Sequence, residues 1–130
     1  MFTLEQIKAA HSKVKSGADF PAYVQDLIAL GVINYETYVA DGHTDYFGNN
    51  DFTISSDKKY NAQTISDEAD AAQFEKKLKA HQQGKTDYLT FCNDCAESGV
   101  EKWKVDTKAM TCTYYDKTGN EMLAEIIPAV

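Results

Sequence analysis

Residues 19–46 read DFPAYVQDLIALGVINYETYVADGHTDY and residues 87–114 read DYLTFCNDCAESGVEKWKVDTKAMTCTY, and the two segments align without a gap at an offset of 68 residues. The shared positions are the identical pairs Asp19/Asp87, Asp26/Asp94, Gly31/Gly99, Val32/Val100 and Tyr46/Tyr114, and the aromatic pairs Phe20/Tyr88, Tyr23/Phe91, Tyr35/Trp103 and Phe47/Tyr115. These positions fall where a helix would begin, where it would end and where strands would follow. The alignment therefore predicts one helix–strand unit that occurs twice.

Each copy predicts a capped helix that ends at a glycine. Asp19 and Asp87 supply side-chain acceptors where a helix N-cap is expected. Gly31 and Gly99 stand where the left-handed residue beyond a helix end is needed. A valine follows each glycine, and it can supply the apolar contact that often accompanies this kind of ending.

Strands are predicted after each helix, because apolar and polar residues alternate there. Asp41-Gly42 is a strong hairpin signal, so the next segment should pair back on the preceding strand. The expected strands cover 33–39, 44–47, 52–55, 103–107, 110–115 and 121–127, with 58–65 as a further extension of the sheet.

An additional helix is expected at the start of each unit. Thr3 and Gln6 have the spacing of a capping box, and Ser66, followed by acidic residues, is expected to open the equivalent helix. Together these patterns predict an α+β fold built from a duplicated helix-helix-strand-strand-strand unit. Its sheet should be mostly antiparallel and packed with helices, in a single domain over 1–130 with pseudo-repeats at about 1–65 and 66–130.

The charge balance excludes one class of partner. The chain has 13 basic residues, all of them lysine, against 20 acidic ones, which gives a formal net charge of −7. A nucleic-acid surface depends on a basic stripe and on the forked donors of arginine, and this composition offers neither. We therefore expect no nucleic-acid binding.

Composition and cysteine number also favour one compartment. No apolar run approaches the roughly 20 residues of a membrane span, and no apolar stretch of signal-peptide type occurs in the first residues. The odd number of cysteines argues against a disulfide framework. We expect a cytoplasmic protein with no membrane contact.

Cys92 and Cys95 form a C-x-x-C pair, which is typical of a redox centre or of half a zinc site. In the repeat alignment they fall on Val24 and Leu27, which are apolar helix positions, so buried structural thiols are favoured. A zinc site would need further ligands, and only Cys112 and a histidine are candidates. We expect no metal and no cofactor, and a thiol or zinc protein stays an alternative.

His43 is the histidine whose surroundings most resemble a site. It follows the Asp41-Gly42 turn and precedes Asp45 and Tyr46, so the hairpin could hold a proton-transfer pair or a ligand contact. A solvated hairpin tip has the same composition. His11 falls in the apolar stripe of the first helix and His81 near a helix end, where structural roles are expected.

Aromatic residues concentrate on the predicted strands. Because side chains alternate along a strand, some of these rings must lie on each face of the sheet. A face that helices cover incompletely would form an amphipathic pocket or interface, whereas full coverage would make the rings plain core. The candidate binding residues are His43, Tyr46, Tyr35, Trp103 and Tyr114.

Four short stretches carry a resemblance to a known family. They are SGADFP at 16–21, GV at 31–32 with YETY at 35–38, DGHT at 41–44 with Tyr46 and Gly48, and ESGV at 97–100. These stretches look like the YdfO-like family of small enterobacterial, often prophage-associated proteins, some labelled phage envelope protein. The resemblance covers the whole chain and implies an α+β fold of its own type. The family has no known function, so it implies no catalytic or binding residue.

The leading hypothesis is a non-enzymatic protein of phage or prophage type that binds a protein partner or a small molecule, and a homodimer is one form that it could take. No sequence motif supplies a nucleophile, which argues against an enzyme. The first alternative is a small enzyme that uses the Asp41-Gly42-His43 hairpin. A cleft between the two units would favour binding, because ligands often sit where repeated halves meet.

Overall fold

The structure is a computed structural model that describes residues 2–15 and 19–128, while Met1, Ser16 to Ala18, Ala129 and Val130 lie outside the described residues. Within the described residues, two helices and three strands occur in each half of the chain, in the same order. They are α1 (Leu4–His11), α2 (Phe20–Leu30), β1 (Asn34–Tyr38), β2 (Thr44–Phe47), β3 (Thr53–Ser55), α3 (Ala71–Gln82), α4 (Tyr88–Glu97), β4 (Lys102–Asp106), β5 (Thr111–Tyr115) and β6 (Glu121–Ile126).

The strands form one sheet in the order β3-β2-β1-β4-β5-β6, and every neighbouring pair is antiparallel. The two halves therefore join through β1 and β4 at the centre of the sheet. In this central pair Glu36 lies opposite Lys104, which is its own equivalent in the repeat alignment. The predicted α+β class is confirmed, and the matched order of elements is consistent with the predicted duplication.

Hydrogen bonds beside the central strands follow the same symmetry. The Val39 N–H donates to the Glu101 carbonyl at 2.8 Å, and the Thr107 N–H donates to the Ile33 carbonyl at 3.1 Å. Each atom in the first bond has its repeat equivalent in the second. A pseudo-twofold axis therefore passes through the centre of the sheet.

The two predicted glycine helix ends are both present. Gly31 has φ of 101° and Gly99 has φ of 86°. This is a left-handed backbone conformation, which residues with a Cβ rarely adopt. The Val32 N–H donates to the carbonyl five residues earlier at 3.0 Å, and Val100 repeats this bond at 2.9 Å. Both valines are buried, as the pattern predicts.

The paired aspartate caps are confirmed only in the second half. The Asp87 side chain accepts a hydrogen bond from the Thr90 N–H at 2.8 Å and caps α4. Asp19 stands at the N-cap position of α2 but makes no cap bond there, and its carboxylate accepts from the Lys15 N–H at 2.8 Å. The backbone of Asp19 is helical, whereas a capping residue is normally extended, so the predicted cap is wrong here.

The start of α3 also differs from its prediction at Ser66. The helix begins at Ala71, and the side chain of Asp70 caps it. The preceding segment uses its backbone elsewhere, because the Ser66 N–H donates to the Ala96 carbonyl and the Asp70 N–H donates to the Ser98 carbonyl, both at 2.9 Å. Packing against the end of α4 therefore replaces the first predicted turn.

The predicted extension of the sheet over 58–65 is wrong, since this segment contains no strand. It packs on the connection between β1 and β2 instead. The Lys59 N–H donates to the Asp41 carbonyl at 2.8 Å, and the Gln63 N–H donates to the Ala40 carbonyl at 2.7 Å. Backbone groups that would form a strand ladder are used in this turn.

Helices cover one face of the sheet, here called the inner face. Tyr23 of α2 contacts Tyr35, and Phe74 of α3 contacts Tyr114, with ring centroids 6.5 Å and 4.7 Å apart. Inner-face side chains are buried and those of the opposite, outer face are half-buried along β1, β4 and β5. Among the described residues, no helix has the length and apolar character needed to cross a membrane.

Candidate functional site

A cavity of about 790 Å³ lies between the inner face and the helices of both halves. Its walls include residues of all four helices and of every strand except β3. Small-molecule sites usually enclose roughly 300–1,000 Å³ and lie where structural units meet. We call this cavity the cleft, and residues of both repeated units line it.

The floor of the cleft is a double set of aromatic rings. In the first half, the Tyr35 ring centroid lies 6.5 Å from that of Tyr23 and 5.6 Å from that of Tyr46. The equivalent trio of the second half consists of Phe91, Trp103 and Tyr114, with Trp103 5.7 Å and 6.2 Å from its two neighbours. Each half thus supplies a ring from its second helix and two from its first strand pair.

His11 contacts aromatic rings of both halves. Its ring contacts Tyr23 of the first half at 5.2 Å and Tyr88 of the second half at 6.2 Å, both edge to face. Desolvation, with a smaller contribution from the nearby Lys59 charge, lowers the pKa of His11. The imidazole is therefore a neutral group in the cleft at neutral pH.

His81 occupies the other side of the cleft. It stacks on Phe91 at 4.3 Å with the rings 12° from parallel, and its Nδ1 lies 3.1 Å from the Thr86 carbonyl oxygen. Desolvation lowers the pKa of His81, and this effect outweighs the Thr86 hydrogen bond and the charges of Asp87 and Asp94. Each half therefore places one neutral histidine at the cleft, from its first helix.

The hydroxyl of Tyr35 and the indole N–H of Trp103, both in the floor, form no hydrogen bond with another described residue. Among the described residues no fully buried side-chain nitrogen or oxygen lacks a partner, so these two groups keep some exposed surface, and both residues line the cleft. Burial raises the pKa of Tyr35 well above its ordinary value, so its hydroxyl keeps its proton. Both groups are donors that a ligand can engage.

The structure brings together four of the five predicted binding residues. Tyr35, Tyr46, Trp103 and Tyr114 all line the cleft. The fifth, His43, lies on the outer face of the sheet. The predicted set is thus divided between two faces, and a binding role for His43 stays a prediction.

The surroundings of His43 form a compact hairpin cluster. Its ring stacks on Tyr38 at 4.6 Å, its Nδ1 lies 2.5 Å from Oδ1 of Asp41, and its Nε2 lies 3.7 Å from Oδ1 of Asp45. Desolvation acts to raise the pKa of Asp41, but the hydrogen bonds from the backbone and ring of His43 hold it below its ordinary value. Both ring nitrogens already face a carboxylate, and the lining of the cleft does not include this histidine.

All three cysteines are buried and unpaired. Burial raises the pKa of Cys92 and Cys95, and it raises the pKa of Cys112 to about 12. A thiol in that state is a weak nucleophile and a poor metal ligand. Val24 and Leu27, the repeat equivalents of the C-x-x-C pair, are fully buried too, which agrees with a structural role. The described residues contain no group of three or more His, Cys, Asp or Glu side chains placed to hold a metal ion.

Sequence reasoning missed the helix contribution to the site. It treated Tyr23 and Phe91 only as a matched aromatic pair of the repeat and His11 as a structural residue of the first helix. It left Lys8, Lys15 and Lys59 without a role. The available signal was a tyrosine within an apolar helix stripe, with an aromatic equivalent in the second copy. A tyrosine in such a stripe carries a hydroxyl group, which needs a hydrogen-bond partner or water. A helix face that only packs in an apolar core has no use for that hydroxyl.

The two cleft histidines predict a pH-dependent stability. Both have a pKa below the ordinary value of 6.5, so between the unfolded and folded pKa values the unfolded chain binds more protons. Stability should therefore fall as the pH decreases below about 6.5 and stop falling, for these groups, once the folded pKa is passed. Urea unfolding at a series of pH values measures the effect.

A double variant, His11→Gln with His81→Gln, provides the control for this dependence. In this variant the urea midpoint should decrease less as the pH falls just below the ordinary histidine pKa. The steeper decrease of the midpoint at lower pH, where carboxylates titrate, should remain. An unchanged profile would show that the two histidines are not held neutral by the fold.

Comparison with known proteins gives a family and no activity. No curated protein matches the chain. A family model described as "Protein of unknown function (DUF1398)" matches residues 8–126, which include all ten helices and strands except the first residues of α1. The chain therefore belongs to the DUF1398 family, a family of unknown function.

Proposed function

We propose that the protein binds a small aromatic molecule in the cleft and carries out no chemistry on it. The observation that supports this is the doubled aromatic floor, in which Tyr35, Trp103 and their neighbours line a cavity of about 790 Å³. Aromatic walls with a few polar groups are typical of small-molecule sites. Tyrosine and tryptophan also lose little conformational entropy when a ligand orders them.

An enzymatic role has weaker support, because no activated nucleophile faces the cleft. The Cys112 thiol lines it but has its pKa raised to about 12. The hairpin histidine, His43, is on the other face of the sheet. A protein partner also has weaker support, since the aromatic residues that motivated it lie inside the cleft.

The biological setting of the proposal is the bacterial cytoplasm. Three unpaired thiols, Cys92, Cys95 and Cys112, fit a reducing compartment. The resemblance to YdfO-like proteins supports a prophage-type origin. A protein of this kind would sense, store or carry its ligand for a host cell or a prophage.

The proposal can be tested by a fragment screen in which binding is detected at a residue of the cleft. Trp103 is the single tryptophan, so its indole N–H gives one resonance that reports directly on the floor. Aromatic fragments should shift this resonance and raise the Tm, because a ligand that binds only the folded state stabilises it. Aliphatic fragments of equal size should do neither. A screen in which no aromatic fragment moves the Trp103 resonance would refute the proposal.

A further inference from the structure

We propose that the ligand is an anion, specifically a planar aromatic carboxylate whose ring lies on the aromatic floor and whose charge lies against three lysines of the first half. This inference rests on the proposed function and specifies its ligand class. It is carried by the distribution of charge around the cleft.

Three lysines line the cleft without an ion pair. Lys8, Lys15 and Lys59 are all exposed, and none of them forms a salt bridge with another described residue. Lysines elsewhere are often paired. The lysine ion pairs among the described residues are Lys13–Asp26, Lys77–Asp94, Lys79–Glu75, Lys102–Glu36 and Lys117–Asp67. The cleft thus holds unpaired positive charge on a chain whose net charge is −7.

The two carboxylates of the cleft lining belong to the second half and are already engaged. Asp87 caps α4 through the Thr90 N–H at 2.8 Å. Glu125 accepts a hydrogen bond from Nε2 of Gln82 at 2.9 Å. A cationic ligand would have to compete for these acceptors and would face three like charges. An anionic ligand meets lysines that have no partner to give up.

The histidines do not change this balance at neutral pH. His11 and His81 are neutral, so they add no charge to the cleft. The hydroxyl of Tyr35 and the indole N–H of Trp103 are donors, which suits a ligand rich in acceptors. Donors and positive charge therefore point to the same class of ligand, and the floor requires that it be flat and aromatic.

A matched charge series tests the inference. β-Naphthoate, β-naphthamide and β-naphthylmethylammonium share one ring system and differ mainly in charge. Isothermal titration calorimetry at low salt, with each compound up to about 1 mM, gives their affinities. The anion should bind at least about fivefold more tightly than the amide, the cation should bind most weakly, and added salt should reduce the difference.

The outcomes separate the two proposals. If all three compounds bind equally, or the cation binds best, the ligand class is wrong while the aromatic binding site stands. If none binds and no other aromatic fragment moves the Trp103 resonance, the proposed function fails as well.

Adjacent lysines provide a matched pair of variants. Lys59 lines the cleft, whereas its neighbour Lys58 is also exposed, forms no ion pair with another described residue and is absent from the lining. Lys59→Gln should weaken β-naphthoate binding about two- to fivefold and leave β-naphthamide unchanged. Lys58→Gln should change neither. Equal losses in the two variants would show that only the overall charge matters and would overturn the inference.

Discussion

Gly99→Ala is expected to lower the free energy of unfolding by about 3 kcal/mol, because it combines backbone strain with a steric clash. Gly99 has φ of 86°, and a Cβ built there would lie 2.8 Å from both Ala69 Cα and the Glu68 carbonyl oxygen. Both are backbone atoms of the segment that replaces the first turn of α3. They cannot move aside without breaking the bonds that hold this segment to the end of α4.

Two other glycines separate strain from clash in this prediction. Gly119 has nearly the same φ, 84°, and no atom within 4 Å of an added Cβ, so Gly119→Ala should cost only the backbone strain, about 1 kcal/mol. Gly31 is the repeat equivalent of Gly99. A Cβ built at Gly31 would lie 4.0 Å from the Phe2 side chain and would meet no closer atom, so Gly31→Ala should behave like Gly119→Ala. Urea unfolding of the three variants gives the comparison. A Gly99→Ala protein no less stable than Gly119→Ala would contradict the close packing at this helix end.

Trp103→Leu is expected to have the largest effect on ligand binding, about a 30-fold loss of affinity for β-naphthoate. Trp103 lies at the centre of its aromatic trio, and its indole N–H is a donor reachable from the cleft. Leucine keeps the site apolar but removes the ring face and the donor. Calorimetry below the unfolding transition, with circular dichroism to confirm the fold, measures the loss.

An aromatic residue on the opposite face provides the control. Tyr38 belongs to the neighbouring strand β1 and stacks on His43, outside the cleft. Tyr38→Leu should change the affinity less than twofold, whereas Tyr35→Phe, which keeps the ring and removes one donor, should cost a few-fold. Equal losses from Trp103→Leu and Tyr38→Leu would place the binding site elsewhere.

Local patterns predicted most of the fold, because helix ends and strands depend on short-range physics. The left-handed glycines and the alternating strands follow from backbone sterics and from burial of one face. The prediction at Ser66 was wrong because contacts with a helix distant in sequence, α4, took the backbone groups that a local helix would use. The missing cap at Asp19 has a similar cause, since its carboxylate binds the Lys15 N–H instead.

The site was partly predictable for the same reason. Alternation along strands places Tyr35 and Tyr46 on one face, and the repeat extends this to Trp103 and Tyr114. His43 was grouped with them because it is close in sequence, although it stands three positions before Tyr46, an odd offset, and so faces the other way. The lysines could not be found in this manner, because Lys8, Lys15 and Lys59 come from separate segments that only the tertiary fold brings to one cleft.

The pseudo-twofold axis between Glu36 and Lys104 bears on how a ligand would be oriented. In a symmetric pair of identical halves, the residue on the axis would face its own copy, and a ligand would have two equivalent ways to enter. Here the axis sets a glutamate opposite a lysine, and the cleft is lined by lysines of the first half and carboxylates of the second. Because the two covalently linked halves differ in sequence, they contribute different charges to the cleft. A ligand therefore has one preferred orientation instead of two equivalent ones.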